Sequence, residues 1–293
     1  LSDANGCNAT DLGGTVAVIV NPLPTATVSG GGSVCTGDVL PDVTFTFTGT
    51  APFNFTYTDG VTPVVVTNHG STTFTIPTAA VGTYSITALS DANCTGTNLG
   101  GSVSVIVNPL PTASVTGGGT VCAGDPLPNV DFNFTGTAPF NFTYTDGVTP
   151  VVVTNYGSTT FTIVGAAAGN YQVTALSDAN GCNATDLGGT VAVIVNPQPT
   201  ASLNASLTTI CSGETSVLTF TLTGTAPFNV TYTDGTTSFS LVGINDGHTV
   251  NVTPSVTTTY TISSITDATS CPGASGASAI VDVTPTPTAT ISG

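Results

Sequence analysis

The sequence predicts an all-β protein made of tandem antiparallel β-sandwiches, each of about seven strands, arranged as a rod. Three observations support this prediction. A block of about 88 residues recurs along the 293-residue chain, apolar and polar residues alternate at period two inside each block, and no segment shows helical periodicity. Thr, Val, Phe, Ile and Tyr are common, and all of them favour strands.

A proline-rich tetrapeptide marks the boundary between successive blocks. It occupies residues 21–24, 108–111, 196–199 and 284–287, at steps of 87, 88 and 88 residues. We therefore divide the chain into the C-terminal end of a truncated repeat (1–20), three full repeats (21–107, 108–195 and 196–283) and the start of another repeat (284–293). Two prolines favour a short, extended and stiff linker, which is the reason for expecting a rod.

The first full repeat contains seven predicted strands. They cover residues 25–28, 43–48, 53–58, 64–66, 73–76, 84–88 and 102–107. A Gly-Thr-Ala-Pro segment at 49–52 and an Asp-Gly pair at 59–60 are turn sequences. The period-two alternation predicts a small core formed by Phe45, Phe47, Phe53, Phe55, Tyr57, Phe74, Tyr84 and Ile86.

Two cysteines in each full repeat predict one disulfide per repeat. The expected pairs are Cys35–Cys94, Cys122–Cys182 and Cys211–Cys271, while Cys7 belongs to the truncated repeat. Closing a loop of about 60 residues stabilises a thin core by roughly 4 kcal/mol in the chain-entropy account. The alternative is a metal site, but two cysteines per unit without accompanying histidines do not make a zinc centre. Regular disulfides indicate an oxidising, extracellular compartment.

The charge balance excludes several classes of function. Lys and Arg number 0 against 16 Asp and Glu, so the formal net charge is −16. Without cationic side chains the chain lacks the means to neutralise nucleic-acid phosphates, to bind anionic lipid headgroups or to form a P-loop or a Lys–Asn isopeptide bond. No apolar run is long enough to cross a bilayer.

Catalysis is not expected. The two histidines, His69 and His248, lie in no triad-like context, and Tyr156 replaces His69 in the next repeat. A carboxylate pair formed by Asp59 and Asp91 is explained more simply by a turn residue and a loop residue.

Calcium is the one cofactor candidate. Acidic residues recur after the first cysteine and before the second cysteine of each repeat: Asp38, Asp125 and Glu214, and Asp91, Asp178 and Asp267. Oxygen-rich loops at a domain end can bind Ca²⁺. Asp38 and Asp91 are the best pair, because the expected Cys35–Cys94 disulfide would hold their loops together. The alternative is that these acids serve turns and solubility, since no Asp-x-Asp-x-Asp spacing is present.

Several motifs resemble those of a known family. The pattern Gly-x-Tyr-x-Ile/Val-x-Ala-x-x-Asp at 82–91 and 169–178 occurs with Pro-x-Pro-Thr-Ala linkers and a Cys-x-Gly-Asp/Glu turn. Together they resemble the tandem bacterial Ig-like and PKD-like repeats of large secreted Bacteroidota surface proteins, including gliding adhesins exported by the type IX pathway. The Trp-bearing Gly-Asp-Gly signature of PKD domains is absent, so the resemblance is to Ig-like domains. It implies a stalk, adhesin or filament role.

These observations predict non-catalytic stalk or spacer repeats of an extracellular, cell-surface adhesin or filament. The expected partners are neighbouring repeats of the same chain and other copies in a filament, together with an unidentified surface or glycan ligand. One alternative is a self-assembling fibre subunit in which exposed strand edges join repeats of different chains. The other is a glycan-binding module, which the inward positions of the aromatic residues disfavour.

Overall fold

A computed structural model describes residues 1–10, 13–285, 287 and 289. Within these residues the regular elements are 24 β-strands, eight in each full repeat, so the predicted all-β class is confirmed. Residues 286, 288 and 290–293 of the expected next repeat lie outside the described residues. The described part of the chain has no helix with the length and apolarity needed to cross a membrane.

The first repeat is a sandwich of a three-stranded and a five-stranded sheet. Its strands are β1 (Thr25–Gly30), β2 (Gly32–Cys35), β3 (Val43–Thr48), β4 (Phe53–Thr58), β5 (Pro63–His69), β6 (Thr73–Ile76), β7 (Gly82–Ser90) and β8 (Ser102–Asn108). The strand orders are β1-β3-β6 and β2-β8-β7-β4-β5. Only β2 and β8 pair in parallel; the other pairs within this repeat are antiparallel.

The other two repeats have the same arrangement. The second consists of β9 (Thr112–Gly117), β10 (Gly119–Cys122), β11 (Val130–Thr135), β12 (Phe140–Thr145), β13 (Pro150–Tyr156), β14 (Thr160–Ile163), β15 (Gly169–Ser177) and β16 (Val191–Asn196). The third consists of β17 (Thr200–Ala205), β18 (Thr209–Cys211), β19 (Ser216–Thr223), β20 (Phe228–Thr233), β21 (Ser238–Ile244), β22 (Thr249–Val252), β23 (Thr258–Thr266) and β24 (Ser278–Thr284). Their sheets repeat the three-plus-five order.

The core of the first repeat lies between its two sheets. Six of the eight residues expected there are buried: Phe45, Phe47, Phe53, Phe55, Tyr84 and Ile86. Tyr57 and Phe74 are half-buried and pack against the edge of this core. Each fully buried phenylalanine contributes about 1.5–3 kcal/mol, which explains why strict alternation persists along β3 and β4.

The strand that the sequence did not reveal is β2. It has four residues, which is too short to display alternation, and it pairs with Val105 to Asn108 of β8. Three glycines with positive φ, at positions 30 to 32, join the end of β1 to the start of β2 and carry the chain from one sheet to the other. A Cβ on Gly30 would lie 2.2 Å from the carbonyl oxygen of Asp42, so this crossing requires glycine.

The contacts divide the chain into two compact units. One contains Leu1–Pro111 together with Asp178–Asn183, and the other contains Thr112–Ser177 together with the residues from Ala184 onward. The short segment Asp178–Asn183 belongs by sequence to the second repeat but by contact to the unit of the first repeat. The cysteine that it carries explains this assignment.

Gly30→Ala should lower the stability of the first repeat by roughly 3 kcal/mol, because the new methyl group meets backbone and φ is +86°. Calorimetric unfolding measures this loss. Gly70→Ala is the matched control, since a Cβ there meets open space and should change stability by less than about 0.5 kcal/mol. Equal effects of the two substitutions would contradict the described crossing.

Candidate functional site at the cysteine loops

The first cysteine of each repeat lies in a tight turn, here called the trailing turn (residues 35–38, 122–125 and 211–214). In the first repeat Cys35 ends β2 opposite Asn108, the last residue of β8. The Thr36 N–H and hydroxyl both donate to the Asn108 carbonyl, at 2.9 and 3.0 Å. The trailing turn is therefore fixed where the chain leaves the domain and enters the next linker.

The acid of the Cys-x-Gly-Asp/Glu motif closes the trailing turn. The Asp38 carboxylate accepts the Cys35 N–H at 3.1 Å, and the Asp38 N–H donates to the Cys35 carbonyl at 3.0 Å. Asp125 and Glu214 accept the N–H of their own cysteines at 3.3 and 2.8 Å. These acids hold the cysteine backbone in place, which is a structural task.

The second cysteine of each repeat lies in a loop after the longest strand, here called the leading loop (residues 91–94, 178–182 and 267–271). Asp91 organises it in the first repeat. One carboxylate oxygen accepts the N–H groups of Asn93 and Cys94 at 2.9 and 2.7 Å, and the other accepts the Thr50 N–H at 2.9 Å. The carboxylate thus joins the leading loop to the β3–β4 turn.

The leading loop lies beside the linker through which the chain enters the repeat. Cys94 Sγ is 3.9 Å from the Asn21 carbonyl oxygen. A Cβ on Gly96 would lie 2.5 Å from the Pro24 carbonyl oxygen, so the loop approaches the linker backbone closely. The two cysteines of one repeat therefore occupy opposite ends of the domain.

The disulfides join cysteines of successive repeats. Cys35 is bonded to Cys182 and Cys122 to Cys271, with Cα–Cα distances of 5.5 Å and sequence separations of 147 and 149 residues. The expected pairing within each repeat is wrong. Cys94 was expected to pair with Cys35, and Cys211 with Cys271, but neither Cys94 nor Cys211 has a disulfide partner among the described residues. Cys7 has none there either.

Strand direction explains the correction. β7 and β8 are antiparallel, so Ser90 at the end of β7 and Asn108 at the end of β8 lie at opposite ends of the sheet. A nine-residue strand spans on the order of 30 Å. A disulfide requires Cα atoms within about 7 Å. The distance between the trailing turn and the leading loop of one repeat is several times too great for a bond.

The same geometry separates the preferred calcium pair. Asp38 belongs to the trailing turn and Asp91 to the leading loop, so the structure does not bring them together. The disulfides instead join the loop of Asp38 to that of Asp178, and the loop of Asp125 to that of Asp267. Among the described residues no group of three or more His, Cys, Asp or Glu side chains forms a metal cage. Calcium binding at the acids stays a prediction.

Hydrogen bonding lowers the pKa of two leading-loop acids, Asp91 and Asp267. The backbone N–H of Thr50, followed by those of Asn93 and Cys94, lowers the pKa of Asp91. Burial raises the pKa of Asp267, but hydrogen bonds from Thr269 and Thr225 outweigh this effect and the net pKa is lowered. Both groups are stabilised as carboxylates in the folded protein.

Both histidines contact aromatic side chains within their repeats. His69 Nε2 lies 2.9 Å from the Thr73 carbonyl oxygen, and the ring packs edge-on against Phe47 and Phe55. Tyr156 makes the corresponding contact with the Thr160 carbonyl in the second repeat. His248 contacts Phe220 in the third repeat.

The third repeat differs from the others by a groove. His248, whose backbone carbonyl accepts the Phe220 N–H, occupies the position of the phenylalanine found at 74 and 161. Phe239 stacks on Tyr232 with ring centroids 5.0 Å apart and is 37% exposed. Phe239, Tyr232 and Val250 help to line a cavity of ≈ 890 Å³. Sequence reasoning missed this groove, although the loss of the phenylalanine was a visible signal.

The fold is shared with solved multi-domain structures. The I-band fragment I67–I69 of titin matches with a TM-score of 0.58 and 13% identity, covering 92% of this chain and 100% of that one. A mutated variant of the same three titin domains gives a TM-score of 0.57 at 13% identity, with the same coverage. The three repeats are Ig-like domains. At this identity the likeness concerns the fold alone.

No protein-family model matches the chain, and no curated protein matches it either. The Ig-like fold is therefore established by structure.

Acid should destabilise the protein through the leading-loop carboxylates. Because the folded pKa of Asp91 is below its unfolded value, its stabilising effect is complete above that unfolded value, about 3.9, and is lost as pH falls through the folded pKa. Asp91→Asn should therefore lower the unfolding temperature more at pH 7 than at pH 2. The exposed Asp282→Asn is the control. A pH-independent effect of Asp91→Asn would contradict this account.

A single trypsin site can reveal the disulfide pairing, because the chain contains no Lys or Arg. Gly101 has open space around its Cα and follows Cys94, so Gly101→Arg adds one cleavage site between Cys94 and Cys122. The Cys35–Cys182 bond spans this site, and the two fragments should separate only after reduction. Pairing within repeats would release them without reduction.

Gly189→Arg is the matched variant for the second disulfide, since Cys122–Cys271 spans it and a Cβ there also meets open space. Gly14→Arg is the control: neither disulfide spans position 14, so its N-terminal fragment should be released without a reductant. Non-reducing gel electrophoresis and mass spectrometry distinguish the outcomes.

Proposed function

We propose that the chain is a stalk of an extracellular adhesin or surface filament in which disulfides lock successive Ig-like repeats to each other. The observation that carries this proposal is the bond between Cys35 of the first repeat and Cys182 of the second, repeated as Cys122–Cys271. A bond within each repeat would stabilise single domains. A bond between repeats additionally makes the junction covalent.

The two covalent loops overlap. Residues 122–182 lie inside both, so three covalent routes through the disulfides connect Cys35 to Cys271. One follows the chain from Cys35 to Cys122 and crosses the second disulfide, and another crosses the first disulfide and follows the chain from Cys182. The third and shortest crosses both disulfides and runs back along the chain from Cys182 to Cys122. Cleavage of the linker at 108–111 or at 196–199 leaves two routes intact. A stalk exposed to proteases benefits from this redundancy.

The disulfides between repeats also limit how far the chain can be extended by force. Without disulfides the 236 residues between Cys35 and Cys271 extend to about 800 Å, whereas the shortest covalent route contains 60 residues and extends to about 200 Å. At full extension this route becomes taut first, and both disulfides then carry the force. This behaviour suits a spacer that transmits force between a surface and an attached tip.

Composition supports an extracellular setting. Disulfides persist in oxidising compartments. The formal net charge of −16 makes lateral association of stalks unfavourable at low salt, and the absence of Lys and Arg removes every trypsin site. The proposed role is mechanical and involves no catalysis.

Single-molecule stretching tests the proposal. With Cys7, Cys94 and Cys211 replaced by Ser and the chain pulled from both ends, the oxidised protein should extend by about 120 residues, roughly 400 Å, and the reduced protein by about two and a half times that length. A variant that also lacks Cys35, Cys122, Cys182 and Cys271 should be insensitive to the reductant. Extension of the oxidised protein to nearly 1,000 Å would overturn the proposal.

One observation favours glycan binding as a second function. The groove of the third repeat presents the exposed Phe239 ring beside Thr and Asn side chains, a combination that suits a neutral sugar. Phe239→Ala should weaken binding to a glycan array at least about tenfold. Val151→Ala, at the corresponding position of the second repeat, is the control. Absence of binding by the unaltered chain would rule this function out.

A further inference from the structure

We infer that Cys94 and Cys211 are docking points for further repeats of this kind: each forms the same inter-repeat disulfide with the complementary cysteine of another Ig-like repeat. This inference rests on the proposed function. It assigns a partner to two thiols that are free within the described residues.

Cys94 is presented in the same way as the bonded cysteines of its type. Its N–H donates to the Asp91 carboxylate at 2.7 Å, as the Cys182 N–H donates to Asp178 at 3.2 Å. The Asp91 N–H also donates to the Cys94 carbonyl at 2.9 Å, a contact matched at 3.1 Å around Cys182. The loop that holds the thiol is therefore formed before any bond.

Cys94 is more exposed than the bonded cysteines of the same type. Cys182 and Cys271, which are bonded, are both 0% exposed. Cys94, with the same local loop, is half-buried. Each of these buried cysteines is bonded to a cysteine of a trailing turn. Cys94 therefore has the surroundings of a leading-loop cysteine that lacks its partner turn.

Cys211 is the complementary thiol. Its trailing turn is closed by Glu214, and the Ser212 N–H donates to the Thr284 carbonyl at 3.3 Å. In the second repeat the Ala123 N–H donates to the Asn196 carbonyl at 2.8 Å in the same way, and Cys122 is bonded. The first repeat thus offers a free leading-loop thiol and the third a free trailing-turn thiol.

A second copy of this chain carries both complementary thiols. Cys211 of one copy can therefore bond to Cys94 of another in a head-to-tail contact that repeats without closing. Two thiols lose two hydrogens when the bond forms. Glutathione disulfide accepts them by thiol–disulfide exchange and yields two molecules of glutathione.

If every pair of neighbouring repeats formed this disulfide, two separate covalent paths, here called rails, would run along the array. One rail runs through Cys35–Cys182, only 29 residues of chain and then Cys211. The other runs through Cys94, 28 residues of chain and then Cys122–Cys271. Each rail contains about 100 Å of extended chain for two domains, so a continuous array would gain little length under force.

The test uses two variants of this chain, both with Cys7→Ser because Cys7 occupies a leading-loop position. One also carries Cys94→Ser and keeps Cys211; the other carries Cys211→Ser and keeps Cys94. Only one of them is labelled with nitrogen-15. They are mixed in equal amounts in a glutathione redox buffer, and the disulfide dimers are weighed by mass spectrometry.

The expected result is a heterodimer, linked from Cys211 to Cys94, at least about tenfold more abundant than either homodimer, against a factor of two for random pairing. Random proportions would overturn the inference, and the absence of dimers would exclude a second copy as the partner. Peptide mapping of the same sample reports Cys35–Cys182 and Cys122–Cys271, so failure of the proposed function would be seen separately.

A longer chain distinguishes the two sources of the partner repeat. A copy of residues 109–195 is appended directly after residue 284, which places a leading-loop cysteine one repeat beyond Cys211. Protection of Cys211 in a monomer assigns the partner to the next repeat of the same chain. Cys211-linked multimers assign it to another copy, and an unprotected Cys211 thiol contradicts the inference.

Discussion

The antiparallel pairing of β7 with β8 is the constraint on which the organisation of this molecule depends. It places the two cysteines of each Ig-like repeat at opposite ends of a sandwich. Neither cysteine can reach the other, and each lies next to a linker. Because the linkers are only a few residues long, the cysteine at the end of one repeat meets the cysteine at the start of the next, and the disulfides join repeats.

The acidic residues that recur in each repeat serve this arrangement. Asp38 and its equivalents fix the backbone of the trailing-turn cysteine. Asp91 and Asp267 join the leading loop to the turn between the third and fourth strands of their repeats. A chain with 5% charged residues uses its acids where backbone N–H groups need an acceptor. The acids of the pattern that suggests calcium in the sequence therefore also hold the cysteine loops in place.

Much of the fold could be predicted because it depends on local signals. Alternation along β3 and β4 gave the strands and most of the core, and the repeat gave the number of domains. β2 was missed because four residues show no period. The disulfide partners were missed for a different reason. The number of cysteines per repeat gives no information on strand direction, and six cysteines allow 15 connectivities. The groove at Phe239 depends on packing between strands, which sequence spacing alone does not describe.

The central claim is that the disulfides connect neighbouring repeats, and peptide mapping of the oxidised protein tests it most directly. The protein is digested without reduction, with free thiols blocked, and the linked peptides are sequenced by mass spectrometry. The account predicts one peptide pair containing Cys35 and Cys182 and a second containing Cys122 and Cys271. Peptides that link Cys35 to Cys94 or Cys122 to Cys182 would contradict it.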